Sequence, residues 1–232
     1  MAVSPDGRVF VGEQTGTLRV VKDDRLLPEP FLKVEVDSFW ERGLIGVALD
    51  PGFPSTPYVY VTYVSPKPFV HHVVSRFTAK GDAAVPGSEK VLLEGDDQSK
   101  LGGSIPAGHQ GGAVHFGADG KLYAAFGEQT AGMPSQKLDT FQGKMVRINP
   151  DGSIPADNPF FEKARGKYRA IWALGLRNPF CFAVQPGTGR MFANDVGGSL
   201  WEEIDEIVAG GNYGWPHVEG PSTRTEFRGP LL

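Results

Sequence analysis

Apolar and polar residues alternate along this chain in short bursts, none long enough to sustain a helical period. Arg8-Val9-Phe10-Val11 and Lys121-Leu122-Tyr123-Ala124 are typical, and a period of two predicts strands with one face buried. The bursts come in pairs. "AVSPDGRVFVGEQTGTLRVV" (2–21), "VALDPGFPSTPYVYVTYV" (47–64), "AVHFGADGKLYAAFGEQ" (113–129) and "FAVQPGTGRMFANDVGG" (182–198) each join two alternating runs through a turn of Pro, Asp and Gly. Such turns supply the dihedrals that reverse a chain, so each pair predicts a hairpin. Further strands are predicted in "HHVVSRFTA", "EKVLLEG", "GKMVRINP", "YRAIWALG" and "EEIDEIV", giving four sheets of about four strands each.

A hairpin recurring at this spacing predicts an all-β fold of the β-propeller type. A two-sheet sandwich would not explain the fourfold recurrence. The blades are expected at roughly 1–40, 41–100, 108–150 and 168–215 of a single domain, 1–232. The first hairpin starts at residue 2 and no hairpin follows the fourth, so the chain is expected to be part of a larger propeller.

Composition changes this picture little. The 232 residues can bury one sizeable core, and the 31 glycines and 19 prolines are spread throughout, which disfavours long helices. A net charge of −4 gives no electrostatic reason to bind nucleic acid. No apolar run is long enough to span a bilayer as a helix, and "MAVSPDGRVFVGEQ" has no leader-like segment. Cys181, the one cysteine, lies in the apolar run "FCFAV" and is expected in the core.

Several loops carry residues suited to chemistry. His109 sits among Gly108, Gly111 and Gly112 at the entrance to a predicted strand, where a neutral imidazole could take a proton or merely cap a turn. In "GLRNPF" (175–180), Arg177 offers a fixed cation and a planar donor fork, with the Asn178 amide beside it. In "NDVGGSLWEEIDEI" (194–207), exposed carbonyls at Gly197 and Gly198 with Glu202, Glu203 and Asp205 nearby are the oxygen ligands that calcium prefers, or else a solvated acidic face. Glu41 and Arg42 precede a buried run. His71 and His72 point to opposite faces of a strand, and His115 and His217 are expected to be structural. No phosphate loop, serine elbow or His-Glu zinc motif is present.

Taken in order, "ERGLIGVALDPGF", "GHQGG" with "FGADGKLY", "GKMVRINPDGSIPADNPF", "ALGLRNPF", "DVGG" with "WEEIDEI", and "GGNYGWP" resemble the glucose/sorbosone dehydrogenase family over nearly the whole chain. The resemblance implies a six-bladed propeller with about four blades here, periplasmic or extracellular placement, and a sugar or polyol substrate oxidised by pyrroloquinoline quinone (PQQ) with calcium. Electrons would pass on to an acceptor. It implies His109 as general base and Arg177 as the group facing the reduced quinone. Glu41, Gln110 and Asn178 are implied as further cofactor contacts.

It further implies the carbonyls of Gly197 and Gly198 as calcium ligands, and Glu203 with the Tyr213 carbonyl at a second, structural calcium. The chain departs from the family pattern at Glu41, where glucose enzymes have Gln, and at Gly108, where they have Asp beside the catalytic histidine. That loss leaves open an alternative from another class, a non-catalytic propeller that binds a protein or carbohydrate, as in hedgehog-interacting relatives.

Overall fold

Each predicted hairpin forms around its own turn. Gly7 and Gly120, the glycines of the Asp-Gly turns in the first and third predicted hairpins, have φ of 86° and 70°, in the left-handed region that favours glycine. The computed structural model describes residues 1–232. The chain is all-β apart from one four-residue helix and two 3₁₀ turns, and its four antiparallel sheets are blades of a β-propeller. They fall into two compact units, Met1–Asp97 and Gln98–Leu232.

In the first unit, β1 (Ala2–Val3), β2 (Val9–Glu13), β3 (Thr17–Lys22) and β4 (Arg25–Leu26) pair in that order, and β5 (Leu32–Lys33) also pairs with β3. The second sheet contains β6 (Leu44–Leu49), β7 (Tyr58–Ser65), β8 (His71–Lys80), β9 (Ala83–Ala84) and β10 (Lys90–Glu94), in the order β10-β8-β7-β6 with β9 on β8. Their facing sides close one core around Phe10, Leu18, Val20, Phe31, Phe53, Val59 and Val61. Phe10 meets Phe31 and Phe53 edge-on, at centroid separations of 5.3 and 5.8 Å.

The second unit begins with α1 (Gln98–Leu101). Its first sheet runs β11 (Gly111–Phe116), β12 (Leu122–Phe126), β13 (Lys144–Ile148) and β14 (Ile171–Leu174). Strand β14, which the sequence reading groups with the fourth blade, is therefore the last strand of the third. The other sheet runs β15 (Pro179–Val184), β16 (Met191–Asp195) and β17 (Glu203–Ile207). Ile204 of β17 exchanges backbone hydrogen bonds with Leu231 and Leu232. Tyr123, Met145, Leu176, Phe182, Met191 and Ile207 fill the core of this unit.

Cys181 is exposed rather than buried, because Phe182 takes the inward position of β15 and its neighbour must face outward. Its Sγ lies 3.1 Å from Asn194 Oδ1. His71 and His72 are both buried, and His115 packs edge-on against Phe182 at 4.9 Å. No helix is long and apolar enough to cross a membrane.

The Asp-Gly turns of those two hairpins share a further device. In the first unit the buried Arg8 pairs with Asp6 of the turn (2.7 Å) and with Asp82 (2.9 Å), and its guanidinium lies over the rings of Phe10 and Phe53. In the second, buried Arg147 pairs with Asp119 of the turn and with Asp157, and lies over Trp172. Each guanidinium therefore ties a hairpin turn to a second segment while covering aromatic surface.

Hydrogen bonds from Arg8, aided by Ser4, hold Asp6 well below the usual carboxylate range, and Lys22 with Arg8 holds Asp82 down. Folded-state values below the unfolded ones mean that this stabilisation is complete above about pH 4 and is lost progressively as pH falls below it. Arg8→Gln is expected to lower unfolding stability at neutral pH by about 1–3 kcal/mol. Urea titrations at neutral and acidic pH check this. The penalty should shrink in acid, and an equal penalty at both would show that the ion pairs contribute nothing.

Candidate functional site

The loop before β11 and the residues after β12 face each other because of hairpin register. Gly111 pairs with Phe126, so residues 127–129 lie opposite residues 108–110. Gly127 N–H donates to Gln110 O (3.2 Å) and Gln129 N–H to His109 O (3.3 Å). A Cβ at Gly127 would stand 2.0 Å from His109 O, so only glycine allows this approach. His109, Gln129 and Thr130 are three of the six non-glycine residues with positive φ. Such backbone strain gathers where surrounding contacts over-determine a functional geometry.

Between these strained residues, Glu128 turns its side chain back to the imidazole. His109 Nδ1 donates to Glu128 Oε1 at 2.5 Å, and Gly132 N–H donates to the other carboxylate oxygen. The Glu128 side chain is 1% exposed and that of His109 17%. A carboxylate on Nδ1 fixes the proton there and leaves Nε2 as the acceptor.

The Arg177–Asn178 corner is attached to the same segment. Glu128 N–H donates to Arg177 O at 2.9 Å. Across the entrance to β15, buried Asp195 accepts from the backbone N–H groups of Arg177 (2.8 Å) and Asn178 (2.6 Å). Arg177 Nη1 donates to Val196 O at 2.8 Å, its guanidinium lies 5.3 Å from the Trp215 ring centroid, and its Nε is buried with no acceptor. Asn178 Oδ1 accepts from Gly111 N–H at 3.1 Å, which leaves its amide nitrogen available.

Gln110 is placed differently from its implied role as a cofactor contact. Its Nε2 donates to Pro106 O and Gly108 O, and its Oε1 accepts from Gln98, so its amide braces the loop from within. Glu41 lies in the first unit, half-buried on the loop that leads into β6.

The glycine bend at 197–198 is held by carboxylates. Gly197 N–H donates to Glu202, while Glu219 Oε1 accepts from the N–H groups of Gly198, Ser199, Leu200 and Trp201. Burial opposes ionisation of Glu219, but these four donors outweigh it and hold the group below its ordinary range. With its donors engaged, the bend leaves the carbonyls of Gly197 and Gly198 without hydrogen bonds. A Cβ at Gly197 would stand 1.5 Å from Trp201 O. Residues 197–202 line a cavity of about 250 Å³.

Glu203 and Tyr213, the other implied metal ligands, have different surroundings. Tyr213 OH donates to Glu206 O (2.6 Å) and accepts from Val208 N–H (3.0 Å). Glu203 accepts from Gly220 N–H and converges with Asp195 and Asp205, their ligand oxygens all within 4.8 Å of one another. Burial pushes Asp195 up to about 7 and Asp205 to about 8, with neighbouring carboxylates adding to both. Two like charges at that spacing repel by roughly 3–4 kcal/mol at an effective dielectric near 20.

Glu128, Asp195 and Trp215 are the residues around His109 and Arg177 that motif reading missed. Glu128 could have been found by counting the "GADGK" hairpin outward from its turn. Asp195 and Trp215 meet Arg177 only through tertiary packing.

A family model described as Glucose / Sorbosone dehydrogenase matches residues 1–227. The chain is 32% identical over 246 residues to quinoprotein glucose dehydrogenase B of Acinetobacter calcoaceticus, covering 93% of this chain and 49% of that protein. It thus spans about half the length of that curated relative. A Thermus thermophilus structure described as a glucose dehydrogenase superposes with a TM-score of 0.89 at 34% identity, covering 100% of this chain and 68% of that one. The PQQ-bound aldose sugar dehydrogenase of Streptomyces coelicolor gives 0.82 at 29% identity, covering 100% and 66%.

The geometry of His109 makes a spectroscopic prediction. Nitrogen-15 NMR of the imidazole is expected to show the Nδ1–H tautomer in the wild-type protein and its loss in Glu128→Ala. An Nε2–H tautomer in the wild type would contradict the arrangement.

Proposed function

The chain belongs to the glucose/sorbosone dehydrogenase family, and we propose on that premise that it forms part of a PQQ- and calcium-dependent dehydrogenase oxidising an aldose sugar or related polyol. The observation that carries the reading is the His109–Glu128 pair, held by one backbone segment beside Arg177.

The residues present suit the implied groups. Arg177 Nε is a buried donor with no acceptor, and the Asn178 amide nitrogen is also unengaged. Both fit an anionic quinone oxygen. The free carbonyls of Gly197 and Gly198 fit a hard cation that takes oxygen ligands. A second calcium on Glu203 and the Tyr213 carbonyl belongs to the same reading. When bound, the quinone with its calcium supplies a two-electron acceptor for the hydride that leaves the sugar carbon.

The protein's own part is proton transfer and electrostatics. His109 Nε2 takes the hydroxyl proton of the sugar as the hydride departs, and Glu128 stabilises the imidazolium that forms. Arg177, oriented by Val196 O and the Trp215 face, donates toward negative charge developing on the acceptor. The sugar loses one hydride and one proton, and an external electron acceptor later reoxidises the cofactor. The relatives' names favour a sugar substrate and a quinone, and periplasmic or extracellular placement belongs to the proposal.

The alternative of a non-catalytic binding propeller drew its support from Gly108 standing where the glucose enzymes have Asp. Glu128 supplies a carboxylate to His109 from the other strand of the hairpin, which favours the dehydrogenase reading over it.

The test is dye-linked oxidation of aldoses by the protein containing this chain, reconstituted with PQQ and calcium. His109→Ala is expected to lower kcat by roughly 10²–10⁴-fold with PQQ binding by absorbance titration unchanged. Glu128→Gln should lower it by about 10–100-fold. No sugar-dependent dye reduction by the reconstituted wild type, or full activity in His109→Ala, rejects the proposal.

A further inference from the structure

Asp205 stands out among the buried side chains. Its residue is 0% exposed, and neither carboxylate oxygen has a hydrogen-bond partner. Buried polar groups are almost always satisfied, and an orphaned carboxylate calls for a proton or a cation. Arg228, the basic group close enough to act on it, is hydrogen bonded to Glu206 instead.

Register explains why three carboxylates meet here. Asp195 pairs with Glu203 and Ala193 with Asp205 across β16 and β17, so side chains two residues apart emerge on one face. One ligand oxygen from each of Asp195, Glu203 and Asp205 lies within 4.8 Å of the others. An ion centred among three oxygens no farther apart than this lies within about 2.8 Å of each, so a small side-chain adjustment brings all three to the 2.3–2.6 Å that calcium takes. Burial leaves little room for the retained waters that magnesium prefers, whereas calcium accepts bidentate carboxylates.

We infer that Asp195, Glu203 and Asp205 form a buried site for a calcium-type divalent cation. The site adds two carboxylates to Glu203, the residue that the proposed function gives to its structural calcium. It uses neither the Gly197 nor the Gly198 carbonyl and rests on no step of the dehydrogenase reading. Two of the three ligands are already fastened to other segments, and Asp205 is left for the ion. Asp195 holds the N–H groups of Arg177 and Asn178, Glu203 holds Gly220 N–H, and Asp205 comes from the middle of β17. A cation among them braces the Arg177 corner from behind.

The test counts calcium and follows thermal unfolding on the chelator-stripped protein, without quinone or sugar. Calcium at about 100-fold above its dissociation constant should raise the wild-type midpoint by about 5–10 °C. Asp205→Asn should bind one calcium fewer per chain and lose most of that rise. Asp205→Ser, which leaves Glu203 and the Tyr213 carbonyl intact, should do the same, and it decides the matter if Asp205→Asn does not fold. An unchanged calcium count in the folded variant overturns the inference. So does an infrared carbonyl band of a protonated carboxylic acid that persists in calcium-saturated wild type and disappears in Asp205→Asn.

Discussion

Gly127, Glu128 and Gln129 run between two loops and hydrogen bond to both, and the candidate site depends on that shared backbone. Gln129 holds the His109 loop, Glu128 holds the carbonyl of Arg177, and Gly127 permits the approach by having no side chain. Because the same three residues also carry the carboxylate that fixes the imidazole, the base and its neighbouring cation are positioned by one rigid element and not by two independent loops. Gln142 reinforces the arrangement from behind, its amide donating to Glu128 O and Gln129 Oε1.

Beneath it, polar groups take places that a simpler protein would fill with carbon. Lys144 is fully buried, and its ammonium donates to the carbonyls of Pro134, Ser135 and Gln142. Three donors meet three acceptors, so backbone carbonyls solvate the charge. Asp195 performs the converse service for two N–H groups at Arg177 and Asn178. Segments with no regular structure are in this way held as firmly as strands.

The strand pattern is readable because its cause is local. Alternation and Asp-Gly turns lie within a few residues of one another, and all four hairpins read from them are present. Grouping of strands is less local. Strand β14 could have joined either neighbouring sheet, and its pairing with β13 is decided by the long excursion through residues 149–170. At the site, His109, Arg177 and Asn178 stand out by motif. Glu128 does not, since its partner is fixed by hairpin register, and the Gln110 amide cannot be seen turning inward toward Gln98. Cys181 is misplaced by the sequence reading because five apolar residues in a row conceal which of them faces out.

The clamp on the glycine bend has its own outcome. Five successive peptide N–H groups, from Gly197 to Trp201, are consumed by Glu202 and Glu219, so the remaining main-chain hydrogen-bonding capacity of that stretch is purely electron-donating. Its rim is thus polarised like the lip of a crown ether, hospitable to hydroxyl hydrogens and metal ions. Without a bound cation, a phosphorylated molecule arriving there finds no main-chain hydrogen to offset the loss of its hydration.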